Sequence, residues 1–366
     1  MNLTSWMGPL GGAARGPIGL ELGSRWVKAV QLRGRPGRWA ITAAARFERP
    51  AGARALPDAE EAERLASVLD RQGFVGRRVT IVMPAALESA APVQLPARGS
   101  GAPLDEIAAA QLAESARCDA GELCTTWWPR GEPGADGTIP AMAVGVRERD
   151  ADALADALEA GGLEVAAIDA RGVALARACA GCVEDRNAVT AVVSVGHSAA
   201  LVVALHAGRP IFERVLPESG TRELVERIVK HARVEPDVAF YALTRSAPVE
   251  AAPAAPGADA LQAVREAAAA HAEALAREVS VSLSYALSTV PGGASGVVLL
   301  AGDAAEYPLF AASLVAAAGP GARIVRPPDV CACPPVLAPS ASHASLMLAC
   351  GLAMNNPRAQ MGEVRP

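Results

Sequence analysis

The strongest constraint on what this chain folds into is an internal repeat. Gly19 to Pro36 reads GLELGSRWVKAVQLRGRP, and Val192 to Pro210 reads VVSVGHSAALVVALHAGRP. In each copy an apolar run meets a Gly-Ser or Gly-His turn, a second apolar run follows, and Gly-Arg-Pro leads into a third. Gly23 aligns with Gly196, and Gly34-Arg-Pro with Gly208-Arg-Pro. Self-similarity at a fixed offset specifies architecture. An offset near 170 residues is too long for a solenoid unit and implies a duplicated domain. A length of 366 residues suits two or three domains of about 100–200 residues each.

Patterning around the repeat predicts the remaining elements. Residues 1–16 read as a flexible tail. Strands are expected over Pro17–Gly23, Arg25–Leu32 and Arg38–Phe47, separated by glycine-bearing turns. A helix follows, with Asp58 as N-cap, Glu61 completing a capping box and Gly73 ending it. Arg77–Met83 is a fourth strand, which makes the order βββαβ. Residues 85–166 read as a separate insert: strands near Val93–Leu95, at Leu123–Trp128 and at Ile139–Val146, helices at Leu104–Ala116 and Asp150–Ala160, and a last strand at Val165–Asp169. A helix over Ala170–Cys182 returns to the main body. The first domain therefore comprises residues 17–84 and 167–187. The second spans 188–366, with strands at Ala188–Val195, Ala199–His206 and Pro210–Val215, then a helix at Thr221–His231. The Pro/Ala-rich stretch 246–258 reads as a loop. A long helix runs from Asp259 to Val290 on a stripe that includes Val264, Ala268, Leu275 and Val279. Val297–Ala301 is a strand, and Tyr307–Ala318 and Ser342–Met354 are helices.

Composition excludes several classes. There are 34 Lys+Arg against 39 Asp+Glu, a net charge of −5, and aromatic residues are 4%. A chain with no basic excess and few stacking platforms is a poor nucleic-acid binder. The N-terminus lacks the basic and apolar regions of a signal peptide. Residues 188–208 carry no Asp, Glu, Lys or Arg, which by length alone allows a membrane helix. The Gly196-His197-Ser198 break and the valines on both sides instead predict two buried strands and a turn. Seven cysteines, an odd number, fit a reduced compartment better than a disulfide framework. Cys179/Cys182 and Cys331/Cys333 read either as zinc ligand pairs or, lacking compact module spacing, as small buried residues. No Walker A motif and no G-x-S-x-G elbow is present.

A glycine in a hairpin turn exposes backbone N–H groups without a Cβ in the way, so two facing turns of this kind can clamp phosphates. With Leu299-Leu-Ala-Gly302-Asp303 as a late Gly-bearing turn, the pattern resembles the actin-like ATPase superfamily. Its α/β fold has two duplicated RNase-H-like halves closing over ATP. The run Ile18 to Leu32, the segment Gly161 to Ala170, Gly208 to Arg214 and the terminal Ser345 to Met354 are similar to PilM-type type IV pilus assembly proteins, relatives of FtsA. The insert sits where PilM and FtsA carry subdomain 1C, beside subdomain 1A.

The resemblance implies a nucleotide site at Glu21, Gly23, Ser24, Lys28, Gly196, His197, Ser198, Gly302 and Asp303, with ATP and Mg as cofactors. The sequence departs from the superfamily pattern there. Glu21 stands for the usual Asp of the first loop, and Ser194 removes the charge of the second, which weakens a Mg²⁺ site. Asp303 stands for the second Gly of a Gly-Gly pair. No acid and lysine pair for an adenosine pocket occurs in Asp237–Arg245. Lys28, one of only two lysines with Lys230, reads as a phosphate contact or as a snorkelling strand lysine. Glu21 reads as a ligand to Mg through water or as a residual turn carboxylate. His197 reads as an acid or ligand or as a local turn partner. Ser24 and Ser198 read as phosphate donors or turn formers. Trp127 and Trp128 place one ring on each face of a strand, one for the core and one for a partner groove.

Functionally, the resemblance implies a bacterial, cytoplasmic scaffold, peripheral at the inner membrane. Its groove between 1A and 1C takes the N-terminal peptide of a PilN-like inner-membrane protein, and other pilus components and self are further partners. ATP binding is degenerate or lost, and catalytic residues are not expected. The alternatives are an actin-fold phosphotransferase such as a sugar kinase, which the lost acid at Ser194 disfavours, and an FtsA-like filament former. The latter would end in an amphipathic helix, which the Pro-bearing stretch 355–366 does not offer.

Overall fold

A computed structural model describes residues 15–50, 52–245 and 258–355. Residues 1–14, 51, 246–257 and 356–366 lie outside the described residues, and with them most of the expected tail and of the expected loop over 246–258, of which Ala258 begins a helix.

The first half opens with three antiparallel strands, β1 (Arg15–Leu22), β2 (Trp26–Arg35) and β3 (Arg38–Glu48). Arg15 and Gly16, expected in the tail, thus belong to β1. Helix α1 (Ala59–Arg71) follows, then β4 (Arg78–Val82), parallel to β1. Asp58 caps α1 by accepting from the Glu61 N–H at 2.8 Å, worth about 1 kcal/mol. The expected capping box is only half formed, because the Glu61 carboxylate turns to the Arg49 guanidinium instead, at 2.7 and 2.8 Å.

The insert holds β5 (Glu88–Leu95), α2 (Leu104–Ala116), β6 (Leu123–Pro129) and β7 (Ile139–Arg147). They form a three-stranded antiparallel sheet, order β5-β7-β6, with α2 on one face around Val93, Leu95, Leu112 and Ile139. The next two elements, expected at the end of the insert, belong to the first half. Leu154 and Leu158 of α3 (Glu148–Ala160) sit in the core built by β1, β4 and α1. β8 (Glu164–Asp169) pairs parallel with β4 and completes the five-stranded order β3-β2-β1-β4-β8. The insert therefore ends with β7.

After α4 (Arg171–Cys179), the second half repeats the plan. β9 (Ala188–Val195), β10 (Ala200–His206) and β11 (Arg209–Leu216) are antiparallel, so the charge-free stretch is two strands and a turn. Next come α5 (Thr221–Ala232), α6 (Pro236–Arg245), α7 (Ala258–Ser288), β12 (Ala294–Gly302), α8 (Pro308–Ala317) and β13 (Arg323–Ile324), then the short helices α9 (Ala338–Ala341) and α10 (Met347–Ala353). The strand order β11-β10-β9-β12-β13 matches that of the first sheet. The match extends to detail. The register slips between Gln31 and Leu32 in one hairpin and between Ala204 and Leu205 in the other, and these are equivalent positions. The Gly23 N–H donates to the Trp26 carbonyl, and the Gly196 N–H to that of Ala199, both at 2.9 Å. The two Gly-Arg-Pro triplets are not equivalent, however. Ala207-Gly208 form the second hairpin's turn, with φ of 51° and 77°, whereas the first hairpin is longer and turns at Pro36-Gly37.

The halves exchange their last helices. α4 lies on the second sheet, with Leu175 and Ala178 beside Val192, Leu201 and Leu299. α10 lies on the first, with Ala349, Cys350 and Ala353 beside Val30, Leu32 and Ile41. Backbones meet without side chains between them. A Cβ on Gly351 would sit 1.9 Å from the Ala174 carbonyl oxygen, and one on Gly19 would sit 2.0 Å from that of Ala349. Glycine is required at such approaches.

Among the described residues no single helix is long and apolar enough to cross a membrane. One bent pair, Pro335–Ala341 with Ala344–Ala353, passes by length and composition; Ala341, Leu346, Ala349, Cys350 and Ala353 are buried under the first sheet and Met347, Leu348 and Leu352 against the second. Cys179 and Cys182 lie in one apolar core, Cys331 and Cys350 in another, and among the described residues no group of three or more His, Cys, Asp or Glu converges as a metal site.

Candidate functional site

The two glycine turns face one another across the junction of the halves. A cavity of about 170 Å³ between them is lined by Glu21, Gly23, Ser24, Lys28, Gly196, His197, Ser198 and Asp303. The structure thus gathers eight of the nine expected nucleotide-site residues. The ninth, Gly302, shapes the site from behind: its φ is 90°, and a Cβ on it would lie 2.5 Å from the Val195 nitrogen. This conformation, open only to glycine, delivers Asp303 into the junction.

Inside, the charges pair with one another, although Asp303 Oδ1 and Arg46 Nε make no hydrogen bond. Glu21 and Lys28 are cross-strand partners on β1 and β2, and the Lys28 Nζ is 3.1 Å from Glu21 Oε1 and 3.2 Å from Asp303 Oδ1. Arg46 approaches the same Asp303 oxygen at 3.7 Å and stacks on Trp26 with its guanidinium 3.6 Å from the ring centre. Burial alone would lower the Lys28 pKa, but Asp303 and Glu21 outweigh it and raise the value above that of a free lysine. Beside the cluster, the Arg25 guanidinium lies 4.3 Å from the ring of Phe240 on α6 and pairs with Glu48 at 2.9 Å. His197 shares a hydrogen bond with the Thr221 hydroxyl at 3.2 Å. Burial and then Arg25 lower its pKa, which favours a neutral imidazole.

These residues do not fit a bound ATP with Mg. Of the cations that line the cavity, Lys28 is paired as above, Arg49 is held by Glu61 and the carbonyls of Gly23 and Arg54, and Arg171 donates to the Met83 carbonyl and faces Glu88 and Glu213, with its Nε making no hydrogen bond. The turn N–H groups of Gly23 and Gly196 donate within their own hairpins. Glu21 Oε1 is taken by Lys28, and Ser194 supplies no charge for a metal.

A second site joins three units. Trp127 and Trp128, on β6, do point to opposite faces. The Trp127 Nε1–H donates to Asp105 of α2 at 2.6 Å, and the Trp128 Nε1–H donates to the Pro210 carbonyl of β11 at 2.6 Å. Both line a groove of about 580 Å³ that continues over Ile168, Asp169, Ala170 and Val173 of the first half and Arg209 and Pro210 of the second. β6 and β8 are each the terminal strand of their sheet, so their outer backbone groups have no sheet partner. Asp169 is held by Arg177 at 2.8 Å and by Asn355 at 2.9 Å.

Close to this groove lies a cluster absent from the expectations. Glu88 of β5 accepts from the Arg171 N–H at 3.4 Å. The Glu213 carboxylate of β11 packs on Gly172, where a Cβ would fall 1.9 Å from its oxygen. Burial, then the neighbouring Glu88, pushes the Glu213 pKa up to about 8 against the pull of Arg171. One signal was legible: Glu213 lies two residues from the buried Ile211 on β11 and faces inward with it. Arg46, Arg49 and Phe240 carry no such local signal.

Two duplicated halves of βββαβ type, with exchanged terminal helices and facing glycine turns, define the actin-like ATPase fold. Among solved structures, the fold matches that of the PilM–PilN type IV pilus biogenesis complex, at TM-score 0.73 and 20% identity over 97% of this chain and 99% of that chain. The ethanolamine utilization protein EutJ from Carboxydothermus hydrogenoformans matches at TM-score 0.53 and 14% identity over 93% of this chain and 89% of that one. No protein-family model and no curated protein matches the chain.

Proposed function

We propose that this chain is a cytoplasmic scaffold of a type IV pilus or related envelope assembly machine. It captures the N-terminal cytoplasmic segment of a PilN-like inner-membrane protein, and that contact holds it at the membrane surface. The observation that carries this reading is the groove of Trp127 and Trp128 between two sheet-terminal strands. An extended peptide gains main-chain hydrogen bonds at such strands and side-chain anchoring in the pockets beside them. Trp128 is a fitting anchor, since large aromatic residues dominate the energetics of small interfaces. The fold match to PilM, whose structure is that of a PilM–PilN complex, supports the same partner class. Other pilus components and further copies of the chain belong to the same proposed assembly.

The test is calorimetric titration of the full chain with a synthetic peptide covering the cytoplasmic N-terminus of a PilN-like protein from the same organism. Saturable binding is expected, weakened at least tenfold in Trp128→Ala, about 1.4 kcal/mol. Absence of binding, or equal affinity in the variant, contradicts the assignment.

A further inference from the structure

The residues expected to meet a phosphate meet each other. Lys28 is 3% exposed and Asp303 1%, so their pairing is an interior contact, screened little by salt. It joins β2 of the first half to the turn after β12 of the second. We infer that this chain keeps its halves shut with an internal ion bridge, Glu21–Lys28–Asp303 backed by Arg46, in the place that the resemblance assigns to a nucleotide's phosphates.

Three observations carry the inference. First, the cluster balances: the carboxylates of Glu21 and Asp303 face the cations of Lys28 and Arg46. Second, the Asp303 carboxylate is the acceptor that Lys28 would otherwise find on a phosphate, and Gly302 is built to present it. Third, the charges belong to one copy of the repeat. The positions of the second hairpin equivalent to Glu21 and Lys28 are the register pair Ser194 and Leu201, so the bridge is no by-product of the duplication. Arg25 over Phe240 closes the same seam further out. Closure in this chain is therefore set by the sequence, and a partner meets a single arrangement of the halves.

Hydrogen–deuterium exchange on the full chain tests this, because exchange reports the opening of a seam even where melting temperature does not move. In the unmodified protein, amides of 20–30, 194–200 and 300–307 are expected to be protected and unchanged by millimolar MgATP. In Asp303→Asn the same segments should exchange at least tenfold faster, with 59–71 in α1 unaffected. Removing one partner leaves Lys28 with an unmatched charge balance and can destabilise by itself. The charge-free variant Glu21→Gln/Lys28→Met/Arg46→Met/Asp303→Asn separates the two effects: it should fold and still open the seam. Added protection by MgATP in the unmodified protein, or seam exchange unchanged in the charge-free variant, would overturn the inference.

Discussion

At the scale of single residues, the chemistry of this chain lies in buried charge that no short motif announces. Glu213 shows how it reports itself. Its folded pKa of about 8 stands above the usual carboxylate value of 4.5, so the folded state holds a proton that the unfolded state has released. The associated stability is complete below pH 4.5 and is lost as pH rises through 8. Between these limits the unmodified protein should lose stability with rising pH relative to Glu213→Gln, by up to about 1 kcal/mol per pH unit. Denaturant unfolding of both proteins from pH 5.5 to 8.5 measures this, and parallel profiles would contradict it. In the sequence Glu21 and Asp303 stand out as departures from a pattern and Lys28 as a rare lysine, each explained alone. Their common role was not legible, because it depends on a contact between residues separated by the whole insert and most of the second half.

At the scale of elements, regular patterning carried far. Helix α2 occupies Leu104–Ala116, the range its pattern predicts, and the strands of both hairpins fall within a few residues of expectation. What pattern does not encode is which sheet a strand joins. β8 and α3 follow the insert in sequence and were assigned to it, yet they complete the first half, since an insertion interrupts a domain without marking where the host resumes. The Gly-Arg-Pro match erred for a related reason: letters align while hairpin length differs. The exchange of α4 and α10 was equally hidden, although Gly19 and Gly351 are its trace. Gly351→Val places a branched side chain where even a Cβ lies 1.9 Å from the Ala174 carbonyl. That substitution should cost at least about 3 kcal/mol through overpacking and backbone displacement, with Gly181→Ala near neutral because its Cβ meets only ordinary contacts. Equal melting temperatures for the two variants would refute the exchanged-helix seam.

At the scale of the whole molecule, the duplication decided the fold from sequence, and the matching strand orders of the two sheets express it. The junction between the two glycine turns is filled by the paired side chains of Glu21, Lys28 and Asp303, and on the proposed reading the groove at the insert takes the peptide. Glu88, Arg171 and Glu213 lie together where the insert meets both halves beside that groove. Calorimetric titration of the full chain with the PilN-like N-terminal peptide, run with and without millimolar MgATP, probes both parts at once. The account expects saturable binding with the same affinity in both conditions. Binding that requires MgATP, or that strengthens tenfold with it, would contradict a scaffold closed by its own ion bridge.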